Sequence, residues 1–175
     1  MVSRIMKADS DSMPQSPEVP SQTWVFVSSG MPFLQVYLPV VRMVHGQPVP
    51  ARAYTLAPSN SGLQISRTDP RTLVIRARQG YLTAPLDGLF RDGQHPMRPG
   101  QIVELEGMSV EVLAMTADLR PLEASFRFDQ PLEHSELAWF VHRDGAIASF
   151  SPPSIGETVT LPPEPLVPLD RLLEP

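Results

Sequence analysis

Twenty-one of the 175 residues are proline, spread along the whole chain. An interior proline costs a helix roughly 3 kcal/mol, because it removes an N–H donor and its ring meets the preceding turn. A chain punctuated this often must fold from short segments joined by turns. Hydrophobic residues make up 42% of the chain, enough for a core. Charged residues make up 19%, below the roughly 25% of ordinary soluble domains.

The short segments read as strands. Trp24-Val25-Phe26-Val27 is an unbroken run of β-formers, the pattern of a strand buried on both faces. Further candidates are Arg52–Leu56, Leu63–Arg67, Thr72–Arg78, Gln101–Glu106, Met108–Thr116, Leu122–Phe128, Leu137–His142, Ala146–Phe150 and Glu157–Leu161. Met108, Val110, Val112 and Ala114 share one face, with Ser109 and Glu111 opposite. Leu122, Ala124, Phe126 and Phe128 likewise oppose Glu123, Ser125 and Arg127. Asp69-Pro70 and Asp144-Gly145 supply turn chemistry, whereas Leu119 sits where glycine would turn more easily. One helix is expected after the first strand: Phe33, Val36, Tyr37, Val40, Val41 and Val44 recur at helical spacing, Pro39 interrupts them and Gly46 offers a stop.

The pattern predicts a mainly β fold, an antiparallel sandwich-like domain with one short helix after the first strand. An α/β sheet is the alternative if Trp24–Val27 heads a strand–helix–strand unit. Residues 1–21 are polar and read as a disordered lead-in, 22–162 as a single β-rich domain, and 163–175 as a proline-rich tail. Pro162, Pro163, Pro165 and Pro168 suit a stiff spacer; Leu166, Leu169, Leu172 and Leu173 form an apolar stripe able to dock on the domain or on a partner.

Several function classes lose support at once. A net charge of −5 and scattered arginines argue against nucleic acid. No stretch is apolar enough to insert directly in a membrane, and the N-terminus lacks the apolar core of a secretion signal. With no cysteine there is no disulfide, thiolate metal site or thiol nucleophile. His45, His95, His134 and His142 show no metal-ligand spacing, although His134 lies between Glu133 and Glu136. No phosphate-cradling glycine motif occurs, so no cofactor is expected.

What remains is sparse. Ser28-Ser29-Gly30 follows a strand and precedes a helix, the setting of a nucleophile elbow without its G-x-S-x-G sequence; helix capping by Ser29 is the plainer role. Glu104 and Glu106 share a strand face that points to water. Trp24, Tyr37, Tyr54, Tyr81 and Trp139 would be the rings of a sugar-binding platform, with Trp139 and Phe140 on opposite strand faces so that one is open to solvent. The connection from Gln79 to Gly100 is far longer than the usual four to six residues. It carries Tyr81, Asp87, Arg91 and His95, candidate ligand- or partner-binding residues that would equally brace the loop, around a short helix near Leu86–Arg91.

From Trp24 to Pro162 the chain resembles the C-terminal soluble domains of uncharacterised bacterial multi-span membrane proteins. The resemblance is carried by Tyr37-Leu38-Pro39-Val40-Val41-Arg42, Gly80-Tyr81-Leu82, Pro85-Leu86-Asp87-Gly88-Leu89-Phe90-Arg91, His95-Pro96-Met97 and Pro99-Gly100. It continues through Val103–Val112, Phe126-Arg127-Phe128-Asp129, Pro131-Leu132-Glu133, Phe150-Ser151-Pro152-Pro153 and Gly156-Glu157-Thr158-Val159. The family pattern has Asp-Gly-Arg-Pro at the turn where this chain has Leu119. The resemblance implies a membrane part in a longer parent chain and a tethered domain facing the periplasm, and it transfers no chemistry. The expectation is a non-catalytic accessory or interaction domain whose partner is a protein or the membrane part of its parent. A carbohydrate-binding sandwich and a serine hydrolase using Ser29 are the alternatives.

Overall fold

The computed structural model describes residues 4–30, 34–83 and 97–166. It is mainly β, with 43% strand and 17% helix. In chain order the elements are α1 (Arg4–Ser12), β1 (Thr23–Ser29), α2 (Leu34–Val44), β2 (Arg52–Pro58), β3 (Leu63–Asp69), β4 (Thr72–Ala77), β5 (Ile102–Leu105), β6 (Met108–Met115), β7 (Pro121–Phe128), β8 (Leu137–Arg143), β9 (Ala146–Ser149) and β10 (Thr158–Leu161). The helix expected after the first strand is α2. The strands form two sheets and the chain forms two compact units, each holding one sheet. The expected span 22–162 is divided between them.

The first unit contains residues up to Ser59, Ser135–Ser151 and the chain from Glu164 onward. Its sheet has the order β2-β1-β8-β9. β1 runs parallel to both β2 and β8, and β9 turns back antiparallel. β1–α2–β2 is therefore a strand–helix–strand unit, so the α/β alternative describes this unit while the antiparallel pattern describes the other. β1 has parallel neighbours on both edges and is buried from Trp24 to Ser29, as its unbroken apolar run demands. Trp24, Phe26 and Phe140 pack with Leu34 and Leu38 of α2, and the Trp24 and Phe140 rings meet edge-on at 5.4 Å.

The segment expected as a disordered lead-in contributes to this core. α1 lies in it, and Met13 and Val19 are buried in the same cluster. Composition alone misses the reason, which is one arginine. Arg42 on α2 is fully buried and stacks over Trp24 at 4.8 Å. It donates to the carbonyls of Ser10 (2.9 Å), Pro14 (2.7 Å) and Pro48 (2.5 Å). Main-chain carbonyls of the lead-in thus supply acceptors to a charge inside the unit.

The second unit spans Asn60–His134 and Pro152–Pro163. Its sheet is antiparallel throughout, in the order β10-β3-β4-β7-β6-β5. The alternation read from sequence is realised: Met108 and Val112 stand beside Phe128 and Ala124 on the buried face, while Glu123 and Arg76 pair across the outer face at 3.1 Å. Leu63, Ile65 and Arg67 follow the inward period of β3, so a guanidinium ends that row at 5% exposure.

The Asp144-Gly145 turn has positive φ at both residues, 53° and 76°, the geometry such a hairpin prefers. Leu119 adopts φ 62° in an exposed turn, held by Thr116, whose N–H bonds the Arg120 carbonyl. A side chain in this left-handed region costs roughly 1–2 kcal/mol. Leu119→Gly should therefore stabilise the protein by about 1 kcal/mol net, a rise of about 2–4 °C in thermal midpoint by calorimetry. An unchanged or lowered midpoint would contradict the strain.

Candidate functional site

α2 exists because β1 and β2 are parallel and need a crossover. It buries Leu34, Leu38, Val41 and Arg42 against the first unit. The stripe whose spacing announces a helix is mostly not the buried one. Val36, Tyr37, Val40, Met43 and Val44 are 45–66% exposed, on a helix whose lone charged side chain, Arg42, points inward. Pro39 sits within this helix, and Gly46 closes it with φ 65°. A solvent-facing helix normally carries polar residues outside. Here large apolar groups form one contiguous outer face.

The edge beyond β1 places Ser28, Ser29 and Gly30 at the C-terminal end of a parallel strand, a favoured place for ligand sites. Trp24 and Phe26 share the core with Phe140, so alternation puts Ser28 and Gly30 on that face and Ser29 on the other. His142, two residues beyond Phe140, lies on the Ser28 side. Its ring fills the space beside Gly30, where a methyl group would stand within 3.0 Å of Cε1, Nδ1 and Nε2. Its imidazole and the Ser29 hydroxyl thus project from opposite faces of the sheet, an arrangement unsuited to base and nucleophile.

His142 is nearly buried, and its Nδ1 has no hydrogen-bond partner. Burial pushes its pKa below the usual imidazole value, against a smaller upward pull from Glu164. The unfolded chain then takes up a proton near pH 6.5 while the folded chain resists. Stability from the neutral ring is complete above that pH and falls as pH drops towards the folded value. Asp9 has the opposite sign, since burial raises its pKa to about 6 and acid relieves an unfavourable charge. The expected result in urea unfolding is that His142→Gln flattens the loss of stability between about pH 7 and pH 5, whereas Asp9→Asn steepens it. Parallel pH profiles for wild type and both variants would refute this assignment.

In the second unit, Tyr81 opens the long loop. Its hydroxyl donates to the Ile75 carbonyl (3.0 Å), its N–H to the Pro121 carbonyl (2.7 Å), and its carbonyl accepts from Arg120 Nη1 (2.9 Å). Burial pushes the phenol well above its ordinary range, so it stays a neutral donor. These bonds brace the loop entrance. The other expected site residues, Asp87, Arg91 and His95, and the short helix near Leu86–Arg91, lie outside the described residues.

The remaining candidates separate clearly. Glu133 chelates Arg67 through both oxygens, and among the described residues no three His, Asp or Glu side chains could hold a metal ion. Glu104 and Glu106 face water as expected, but Leu105 between them is exposed too, because β5 is an edge strand. Trp24 and Trp139 are both buried, and so is Phe140, leaving no tryptophan for a sugar platform. A hollow of about 240 Å³ on the outer face of the six-stranded sheet is lined by groups such as Asp69, Ser109, Glu111 and Arg127 and by no aromatic ring.

The outer face of α2 is what sequence reasoning missed. Its signal was present: with Leu34, Leu38 and Val41 on a second face, the helix has more apolar positions than one buried stripe requires. Among the described residues no helix is long and apolar enough to cross a membrane. No family model, curated protein or solved structure matches the chain.

Proposed function

We propose that this chain is a non-catalytic interaction domain that docks a helical, apolar partner on α2 and is carried by a larger membrane protein. One observation supports the docking: five large apolar side chains lie exposed on a helix whose opposite face is packed. An exposed contiguous apolar patch on a polar-surfaced protein marks an interaction site. Support for the membrane parent is the resemblance carried by motifs such as Tyr37–Arg42, which lie on this same helix. Nothing in the arrangement of Ser29 and His142 favours hydrolysis.

A photo-crosslinking amino acid at Val40, introduced in the native host, tests the docking. The expected result is a covalent adduct with one defined polypeptide, absent when the probe is moved to Leu119 and lost on Met43→Glu. No adduct from Val40 would overturn it. Reading the genomic sequence upstream of Met1 tests the parent, which should encode hydrophobic spans in frame.

A further inference from the structure

We infer that the partner of α2 is the α2 of a second copy, the two helices crossing antiparallel on a two-fold axis at Val40. This rests on the docking reading above and adds the identity of the occupant.

The exposed set carries the argument. Val36, Tyr37, Val40, Met43 and Val44 are arranged symmetrically about Val40. An antiparallel pair centred there sets Val36 against Val44 of the other copy, Tyr37 against Met43, and Val40 against itself. Every exposed apolar residue finds a partner from the same set. A two-fold interface requires such self-complementarity, because residue i meets j wherever j meets i. The large pair, a phenol ring and a thioether, is a favourable contact. Val36, Val40 and Met43 also follow the four-then-three spacing of helix-pair seams.

Charge points the same way. Copies of a chain with net charge −5 repel one another in general. The outer face of α2 carries no Asp, Glu, Lys, Arg or His side chain, so like charges need not meet there. A helix that lies in an anionic membrane surface is flanked by lysine and arginine on its polar face. α2 has Arg42 alone, and that group is buried. This favours a protein helix over lipid.

Area sets the strength. Five side chains exposed by roughly half to two-thirds give about 500 Å² per copy and about 1,000 Å² per pair, the lower bound of specific interfaces and below the roughly 1,600 Å² of standard ones. The pair should therefore be reversible and concentration-dependent.

The experiment is sedimentation equilibrium of the full chain from about 1 µM to about 1 mM, a range that brackets weak association. The expected result is a monomer at the low end passing to a dimer at the high end. Val40→Glu, which sets two carboxylates face to face on the axis, should stay monomeric throughout with an unchanged circular dichroism spectrum. Val40→Cys, in a protein with no other cysteine, should form a disulfide-linked dimer on mild oxidation, and Leu119→Cys should not. A wild-type monomer at every concentration would overturn the inference, as would a dimer indifferent to Val40→Glu. A monomer whose Val40 photo-probe captures a different polypeptide removes the second copy but keeps the docking face. A monomer with no adduct removes both.

Discussion

Arg42→Met should destabilise the protein by about 3 kcal/mol and release the N-terminal segment from the first unit. Replacing a buried charge by an apolar group is often harmless, because the desolvation of the charge disappears with it. Two features reverse the balance here. The nearest partners of Arg42, at 2.5–2.9 Å, are main-chain carbonyls of Ser10, Pro14 and Pro48, which no substitution can make apolar. Each acceptor left without its donor costs about 1 kcal/mol or more. The guanidinium also ties Ser10 and Pro14 to a helix far away in sequence, so its loss frees the whole segment at once. Arg42→Lys should cost nearly as much, since one ammonium cannot reproduce a planar fork serving three directions. Urea unfolding gives the energy, and limited proteolysis between residues 4 and 21 gives the release. A segment as resistant in Arg42→Met as in wild type would contradict this account.

The second unit has its own such residue. Arg67→Met should cost about 2–3 kcal/mol, again through loop carbonyls rather than through its ion pair. Arg67 donates to Asp69 (3.1 Å), Pro70 (3.1 Å) and Pro153 (3.3 Å) while pairing with Glu133. Glu133 is 64% exposed, so water receives it when its partner goes. Arg67 holds the Glu133 carboxyl below its ordinary pKa, and that contribution fades as pH falls through the lowered value. Glu133→Gln alone should cost under about 1 kcal/mol, as exposed pairs do. The double variant should be no worse than Arg67→Met. A large loss in Glu133→Gln would show instead that the pair itself carries the stability.

These two arginines also mark where sequence reading stops. Strand alternation was legible in Met108–Ala114 and Leu122–Phe128 because half-buried sheets impose a two-residue period. The same period runs through Leu63, Ile65 and Arg67, yet a charge at its end reads as solvent-facing until its acceptors are seen. Apart from Glu133 and Gln15, those acceptors are main-chain carbonyls, which leave no trace in residue type. The outer face of α2 was half legible. Its spacing gave the helix, but two apolar faces on one short helix cannot be ranked without knowing which meets the sheet. Tyr81 stands where the long connection begins; its hydroxyl reaches back only six residues to Ile75, whereas its main-chain bonds to Pro121 and Arg120 join it to a turn and strand about forty residues on, which no local pattern announces.

The order of strands beside β1 has a consequence for how the chain emerges from the ribosome. β1 lies between β2, which follows it closely, and β8, which is made nearly eighty residues after β2 ends. At the usual pace of synthesis, about 5–20 residues per second, one edge of Trp24-Val25-Phe26-Val27 stays unpaired for roughly 4–16 s. An open apolar strand is a template for the wrong neighbour. The nascent protein therefore passes through an interval in which its most buried strand is its most vulnerable one. A chaperone that shields β1 until Leu137 is made should raise the yield of native protein more than one acting on the finished chain.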